Sequence, residues 1–393
     1  MPPTETWRNG GAPIMSWAAE LEQGAREQME NIARLPFAHH HVALMPDAHQ
    51  GYAMPIGGVL AAKGAVVPYA IGVDIGCGVA LIAIHGKREE DLQDGDVKEL
   101  MEKVRESVPV GNGPQGGHEH DAPLPEFLDG PSPRIEKFVY EAAKQLGSLG
   151  GGNHFLELQA VAKGPEKGKL YFMIHSGSRS LGKKTCDYHV KRAQIAMERW
   201  HSQLPHKEVA YLPFTDPLGQ DYLEDMNYCL KWAEENRRVM AEAVESAVFT
   251  TWGVAATMLV DCHHNFAAME NHYGENVLVH RKGAVRARAG ETVLIPGSMS
   301  TGSYIAEGKG NKESFDTCQH GAGRARSRAA TRKMITKEEL TDMMAAAGVY
   351  LTTPGDVRDE SAIAYKDIEE VMRLSGDLIQ PLVQMKPLGV VKG

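Results

Sequence analysis

Four short motifs hold most of the side chains that could do chemistry. They are Asp74-Ile75-Gly76-Cys77-Gly78, Gly152-Asn153-His154-Phe155-Leu156-Glu157, His175-Ser176-Gly177-Ser178-Arg179 and Asp261-Cys262-His263-His264-Asn265. Together they offer carboxylate, thiolate and imidazole donors from separate stretches of chain. A thiolate beside a carboxylate can bridge two divalent ions while imidazoles complete each shell. Paired ions of this kind clamp the attacking and leaving oxygens of a phosphoryl transfer. Donors of mixed softness fit manganese, zinc or iron rather than calcium. Singly, a strand-end histidine also reads as a structural residue that hydrogen-bonds through both ring nitrogens. The recurrence of the pattern favours a metal cluster.

A fifth motif, Cys318-Gln319-His320-Gly321-Ala322-Gly323-Arg324, sets a histidine before a glycine-rich turn and an arginine. Glycines let backbone N–H groups approach phosphate oxygens, and an arginine adds a bidentate contact. A neutral imidazole held near a bound phosphate is a competent nucleophile at phosphorus; without a metal cluster nearby the same residues read as a helix-entry turn. Gly177 to Lys183 fits a G-x-x-x-x-G-K phosphate loop, with Met258 to Asp261 as the following apolar strand. Lys184 stands where a magnesium-binding hydroxyl belongs and Thr185 comes one residue late, so a true nucleotide-hydrolysing P-loop is rejected.

Helices and strands must position these motifs. Ala18, Leu21, Ala25, Met29 and Ile32 recur with helical period, as do Val97 to Val104 and Ile135 to Leu146. A long helix is expected from about Leu223 to Met258. Thr336 and Glu339 form a capping box, Ile335 and Leu340 a staple, and Gly348 a stop. Leu170–Ile174 and Val277–His280 read as strands. Val285, Ala287 and Ala289 alternate with Arg286 and Arg288, predicting a half-buried strand with cations outward. With no repeat or linker, the chain is expected to be one α+β domain over 1–393, with 1–43 as a helical lead-in.

Composition bounds the function. The 393 residues are 42% hydrophobic and 24% charged, as in a folded globular chain rather than a disordered one. No signal peptide or bilayer-spanning run is present, and the five cysteines form no C-x-x-C pair, which points to a reducing cytoplasm. A net charge of -9 argues against a general nucleic-acid binder. Residues 281–333, however, carry 11 Lys+Arg and 4 Asp+Glu, a net of +7, which leaves -16 on the rest. The basic stretch contains the His320 motif, so a polyanion meeting one local cleft is expected.

In this order, with Pro46-Asp47-Ala48-His49-Gln50-Gly51, Arg281-Lys282-Gly283-Ala284, Pro296-Gly297-Ser298-Met299 and the terminal Val391-Lys392-Gly393, the motifs resemble the RtcB family. The resemblance runs from about Leu44 to the C-terminus. It implies an α+β fold around a metal-containing cleft, and a GTP- and Mn²⁺-dependent RNA ligase. Such an enzyme joins RNA 3′-phosphate or 2′,3′-cyclic phosphate ends to 5′-hydroxyl ends, in tRNA splicing or RNA repair. By similarity Cys77 would bridge two Mn²⁺ ions, with His154 and His175 on one and Asp74 and His264 on the other. His320 would carry GMP, and Asp47 matches an acidic residue needed for activity. Asn153 and Gly321-Ala322-Gly323 would hold nucleotide phosphate, with Asn265 nearby. Glu157, Ser303 and Lys392 resemble the guanine-reading set, Tyr365 a wall beside the base, and Pro296, Gly297, Ser298 and Met299 the pocket lining. Arg179, Arg286 and Arg288 are the expected RNA contacts. No membrane partner is expected, and an activating protein partner is left open.

Residues 111–133 share no motif with the family, and Ser180 and Lys183-Lys184 depart from its pattern after the Ser-Gly-Ser-Arg turn. Two other readings stand beside the ligase. The same cluster could activate water in a two-metal phosphodiesterase or phosphatase, or the chain could be a non-catalytic RNA-binding repair protein.

Overall fold

The computed structural model describes residues 2–111, 116–118, 124–128 and 130–393. The expected segment 111–133 therefore lies partly outside the described residues. Apolar runs and alternating stretches pair into two large sheets. In spatial order, the first has the strands Glu5–Trp7, Ile14–Ser16, Ala38–Tyr52, Met54–Ala62, Glu275–Lys282 and Asn265–His272. The second runs Ala256–His263, Gly78–Arg88, Lys169–Ser176, Phe155–Val161, Ile379–Lys392, Ser303–Gly308 and Thr292–Ile295, with Tyr350–Thr352 added in parallel to Ile379–Lys392. A single residue, His264, separates the end of one sheet's edge strand from the start of the other's.

Residues from both sheets share one buried cluster, in which Val59 and Val279 of the first meet Val293 and Ile295 of the second. That shared core makes the chain a single α+β domain. The far face of the second sheet is covered by helices. Ala80, Ile82, Phe172 and Ile174 pack with Met240, Val244 and Val248 of a long helix and with Leu100 and Val104 of helix Asp96–Ser107.

The long helix differs from expectation at both ends. It spans Pro217–Trp252, starting where Asp216 caps the Leu218 N–H with proline at the first turn, and stopping at Gly253 in the left-handed region (φ 70°). Residues up to Met258 were expected to be helical, but Ala256 onward belongs to the edge strand, where Met258 and Val260 pack as sheet residues. The cationic strand is also shorter than its alternation predicts. Only Ala284–Arg286 pairs, antiparallel to Thr317–Gln319, and residues 287–289 leave the ladder. The lead-in over 1–43 contains the helix Gln23–Ala33, but Glu5–Trp7 and Ile14–Ser16 are strands of the first sheet rather than helix. The capping box is formed: Thr336 Oγ1 accepts from Glu339 N at 3.1 Å, and Glu339 Oε2 accepts from Thr336 N at 2.8 Å. Among the described residues no helix is long and apolar enough to cross a membrane.

Candidate metal and nucleotide site

Antiparallel neighbours begin and end alternately at one sheet edge, so motifs far apart in sequence can collect there. At this edge of the second sheet Gly78 pairs with both Ser176 and His263, while Phe155 pairs with His175 and with Lys392. The residues just beyond these pairs are Cys77, His264, His154 and Asn153. Cys77 Sγ lies 3.5 Å from His154 Nε2 and 3.3 Å from His175 Nε2. His154 Nε2 lies 3.1 Å from Asp74 Oδ2, and His175 Nε2 lies 3.0 Å from His264 Nε2.

This donor set fits a divalent cation. The Nδ1–H groups of His154 and His175 donate to the carbonyls of Leu149 and Asn153, at 2.9 and 3.2 Å. That choice of tautomer turns both Nε2 lone pairs toward the thiol. Lone pairs facing one another and a sulfur at about 3 Å repel unless a proton or a cation lies among them. Burial, reinforced by neighbouring imidazoles, holds His175 and His264 well below the usual histidine range, so both are neutral imidazoles, the form that can ligate a metal. Burial, with the Asp74 charge nearby, pushes the Cys77 thiol well up. Burial also opposes ionisation of Asp74, but the approach of His154 and the Arg179 charge hold that carboxyl below its ordinary value. A bound cation would reverse the thiol's preference, since a coordinating thiol is deprotonated. Cys77, His154 and His175 form a compact three-ligand group, with Asp74 and His264 adjoining.

The loops carrying these donors are tied from behind. Ser178 N–H donates to Asp74 Oδ1 at 3.1 Å. The phosphate-loop look-alike thus spends its first free N–H on a carboxylate, consistent with rejecting a Walker motif. A Cβ at Gly177 would stand 2.3 Å from Asp74 Oδ2, which requires glycine there. From the long helix, Arg237 donates to the carbonyls of Gly76 (2.9 Å) and Ser176 (2.8 Å) and pairs with Asp261 at 2.6 Å. Asn236 Nδ2 donates to Ser148 O and Gly177 O, both at 3.1 Å. Neither residue was singled out in the sequence, because a buried Asn-Arg pair inside a helix looks like part of a polar helix face.

Across the cavity, the ribbon Thr317–Gln319 delivers His320. Its Nδ1–H donates to Asp47 Oδ2 at 2.6 Å, and its backbone N–H reaches the same oxygen at 3.1 Å. Asp47 is fully buried on strand Ala38–Tyr52, whose register breaks between Leu44 and His49 around Pro46. A bulge there re-aims the aspartate off the ladder and into the site. With Nδ1 protonated, His320 Nε2 keeps its lone pair, and it makes no hydrogen bond to the described residues. The His320 and His264 rings lie 4.8 Å apart, which puts the nucleophile candidate against the donor cluster. Gly323 has φ +72°, and a Cβ there would stand 2.2 Å from Asp47 O, so the turn approaches that strand closely only as glycine.

His320, Asp74, Cys77, His175 and His264 line one cavity of about 240 Å³. Its remaining wall brings together Asn153, Glu157, Asn265, Tyr365 and Lys392 with the turns Pro296–Met299 and Gly321–Gly323. Asn265 is engaged at both ends of its amide, accepting from Gly283 N–H at 2.8 Å and donating to Asp74 O at 3.0 Å. Ser303 Oγ, buried behind the wall, accepts from Gly297 N–H at 3.2 Å and from Gln159 at 3.0 Å. Glu157 has Gln159 and Lys392 as neighbours, and burial pushes its carboxyl up to about 8. Lys392 donates to Asn153 O at 3.0 Å and pairs at 3.0 Å with Glu360. Glu360, which carries no motif, gathers Lys392, Arg324, Arg328 and the Tyr365 hydroxyl around one buried carboxylate.

The three arginines expected to meet RNA are not together. Arg179 is 9% exposed, with its guanidinium donating to Ser148 Oγ and to the carbonyls of Gly111 and Gly116. It braces the metal-side loops rather than facing outward. Arg286 pairs with Glu291 at 2.6 Å, and Arg288 reaches Glu270 only at 4.0 Å. All five cysteines are free thiols.

A family model described as tRNA-splicing ligase RtcB matches residues 28–133 and 128–393. The RNA-splicing ligase RtcB of Escherichia coli K12 is 36% identical over 406 residues, covering 97% of this chain and 98% of that protein. The protein of that name from Mycobacterium tuberculosis H37Rv is 32% identical, covering 93% of this chain and 100% of its own length. The tRNA-splicing ligase RtcB of Methanococcus maripaludis is 32% identical, covering 95% and 92%. With near full-length matches on both sides, the chain belongs to the RtcB family.

Proposed function

We propose that the chain is an RNA ligase that joins a 3′-phosphate or 2′,3′-cyclic phosphate end to a 5′-hydroxyl end, using GTP and a histidine–GMP intermediate, in tRNA splicing or RNA repair. The observation that carries this reading is the Asp47–His320 contact at 2.6 Å beside the Cys77 cluster. Asp47 holds the His320 proton on Nδ1 and leaves Nε2 as the nucleophile. Nε2 attacks the α-phosphorus of GTP; the P–N bond forms as the bond to pyrophosphate breaks. Water opens any 2′,3′-cyclic phosphate, breaking the bond to the 2′ oxygen to leave a 3′-phosphate; an oxygen of that 3′-phosphate then attacks the same α-phosphorus, releasing His320 and leaving the RNA end activated. The 5′-hydroxyl oxygen attacks that RNA phosphorus, GMP departs and the hydroxyl proton is lost.

Asp74, Cys77, His154, His175 and His264 would hold two Mn²⁺ ions; such ions would neutralise charge that develops on phosphate oxygens. Asn153 and the Gly321-Ala322-Gly323 turn suit nucleotide phosphates. Glu157, Ser303 and Lys392, with Tyr365 and Pro296–Met299, suit the guanine. The mixed acceptors and donors of that wall favour a base with both. The test is to offer end-labelled RNAs with GTP and Mn²⁺. Joining of 3′-phosphate or cyclic-phosphate ends to 5′-hydroxyl ends is expected. Loss of the terminal phosphate with no joining would overturn the reading in favour of a hydrolase.

A further inference from the structure

We infer that Tyr52 and Tyr69 form a stacking platform for an unpaired RNA base beside the cavity, an inference that rests on the RNA-ligase reading. The strands Ala38–Tyr52 and Met54–Ala62 form a hairpin in which His49 pairs with Ile56, and both of these line the cavity. The hairpin then closes with Tyr52 opposite Met54. Three residues of strand put the turn about 10 Å from the cavity wall, within reach of a base one or two nucleotides from an end held at His320.

Tyr52 is 58% exposed, yet its ring is not loose. It lies parallel to Tyr69, with 5.7 Å between centroids and 3° between planes. The turn beneath is pinned at four points. Gln28 exchanges hydrogen bonds with Gly51 O and N at 2.6 and 3.0 Å, Glu208 accepts from Ala53 N–H at 2.7 Å, and Lys282 donates to Tyr52 O. An aromatic this exposed on a turn this constrained contributes little to the core, and its hydroxyl bonds no described residue. What it presents is a flat, preorganised apolar face, which is what single-stranded nucleic acid uses.

The surrounding charges are compatible. Lys282 Nζ lies 5.8 Å from the Tyr69 ring centroid, and the next residue, Gly283, abuts His320. Of the acids nearby, Asp187 pairs with Lys183 at 2.6 Å, while Glu208 is fixed under the turn by the Ala53 N–H. The platform therefore joins the nucleophile's surroundings through Lys282. Stacking tolerates any base, so the subsite would grip an end without reading its sequence.

The experiment measures binding of a short single-stranded RNA with a 3′-phosphate to the full-length, Mn²⁺-loaded protein by fluorescence anisotropy. Tyr52→Ala is expected to weaken binding about tenfold, Tyr52→Trp to retain it, and Tyr140→Ala, at an equally exposed tyrosine outside the site, to leave it unchanged. An abasic nucleotide one or two positions from the end should weaken the wild type by a similar factor and the Tyr52→Ala protein hardly at all. Transfer of GMP from GTP to the protein should be the same in every variant. If Tyr52→Ala binds like wild type, or if the abasic and alanine losses simply multiply, the platform is wrong while GMP transfer stands. If the wild type neither takes GMP nor binds this RNA, the ligase reading fails with it.

Discussion

On the eight-stranded side of the cavity, most donors are tied to groups behind them, although His264 Nδ1 is buried without a partner among the described residues. Asp74 takes the Ser178 N–H, His154 and His175 are tied to backbone carbonyls, and Asn236 and Arg237 clamp the loops from the long helix. On the opposite side, His320 depends on one carboxylate oxygen for both its ring and its backbone N–H. The cluster is oriented from outside by backbone and helix groups, as outer hydrogen-bond partners orient metal ligands. The orientation of His320, the proposed nucleophile, rests on a single residue, so its chemistry should be far more sensitive to one substitution than the fold is.

The largest effect expected from breaking this contrast is at the cluster's centre. Cys77→Ala should bring Mn²⁺ binding, followed by calorimetry, and RNA joining to background while the far-UV spectrum is retained. Next is Asp47→Asn. An amide donates where the carboxylate accepts, which moves the His320 proton to Nε2, and GMP transfer should fall by about 10³–10⁴-fold with Mn²⁺ affinity unchanged. Should Asp47→Asn instead lose metal and keep GMP transfer, the two sides would not be independent.

Arg237→Leu tests the clamp from the long helix. It leaves Asp261 and two carbonyls without their donor, so urea unfolding should show a loss of about 3–5 kcal/mol, with added Mn²⁺ restoring part of it. A smaller effect concerns Glu157. Its folded carboxyl is raised from 4.5 to about 8 by burial, so the folded state holds a proton that the unfolded chain releases. The stability this group confers is complete below about 4.5 and is lost as pH rises through about 8. Glu157→Gln should flatten the pH dependence of urea stability across that window. The smallest effect is at Arg288, whose side chain is about half exposed. Arg288→Ala should lower the salt slope of RNA binding by about 1 and leave GMP transfer alone.

The residues that converge on the cavity were legible because candidate metal donors and a candidate nucleophile loop need particular residue types at strand ends, and those types stand out among glycines. The helix stop at Gly348 and the cap at Thr336 were legible for a similar local reason. What lay beyond the sequence was long-range. Nothing near Arg237 says that it reaches Gly76 and Ser176, and nothing near Glu360 says that four polar groups converge on it. The strand start at Ala256 was hidden because Met258 and Val260 continue the apolar character of the preceding helix, and Gly253 alone marks the break. Alternation around Arg286 and Arg288 predicted a longer strand than the two-stranded ribbon can pair. Likewise, Arg179, expected as an RNA contact, is buried and bonded to Ser148 and two backbone carbonyls.

The central claim is that His320 carries the GMP. Incubation with α-labelled GTP and Mn²⁺, followed by digestion and mass spectrometry, tests it directly. The expected result is an acid-labile, alkali-stable label on the peptide containing His320, absent from His320→Ala and discharged when RNA with a 3′-phosphate is added. A label that persists in His320→Ala, or RNA joining by a wild-type protein that never becomes labelled, would contradict it.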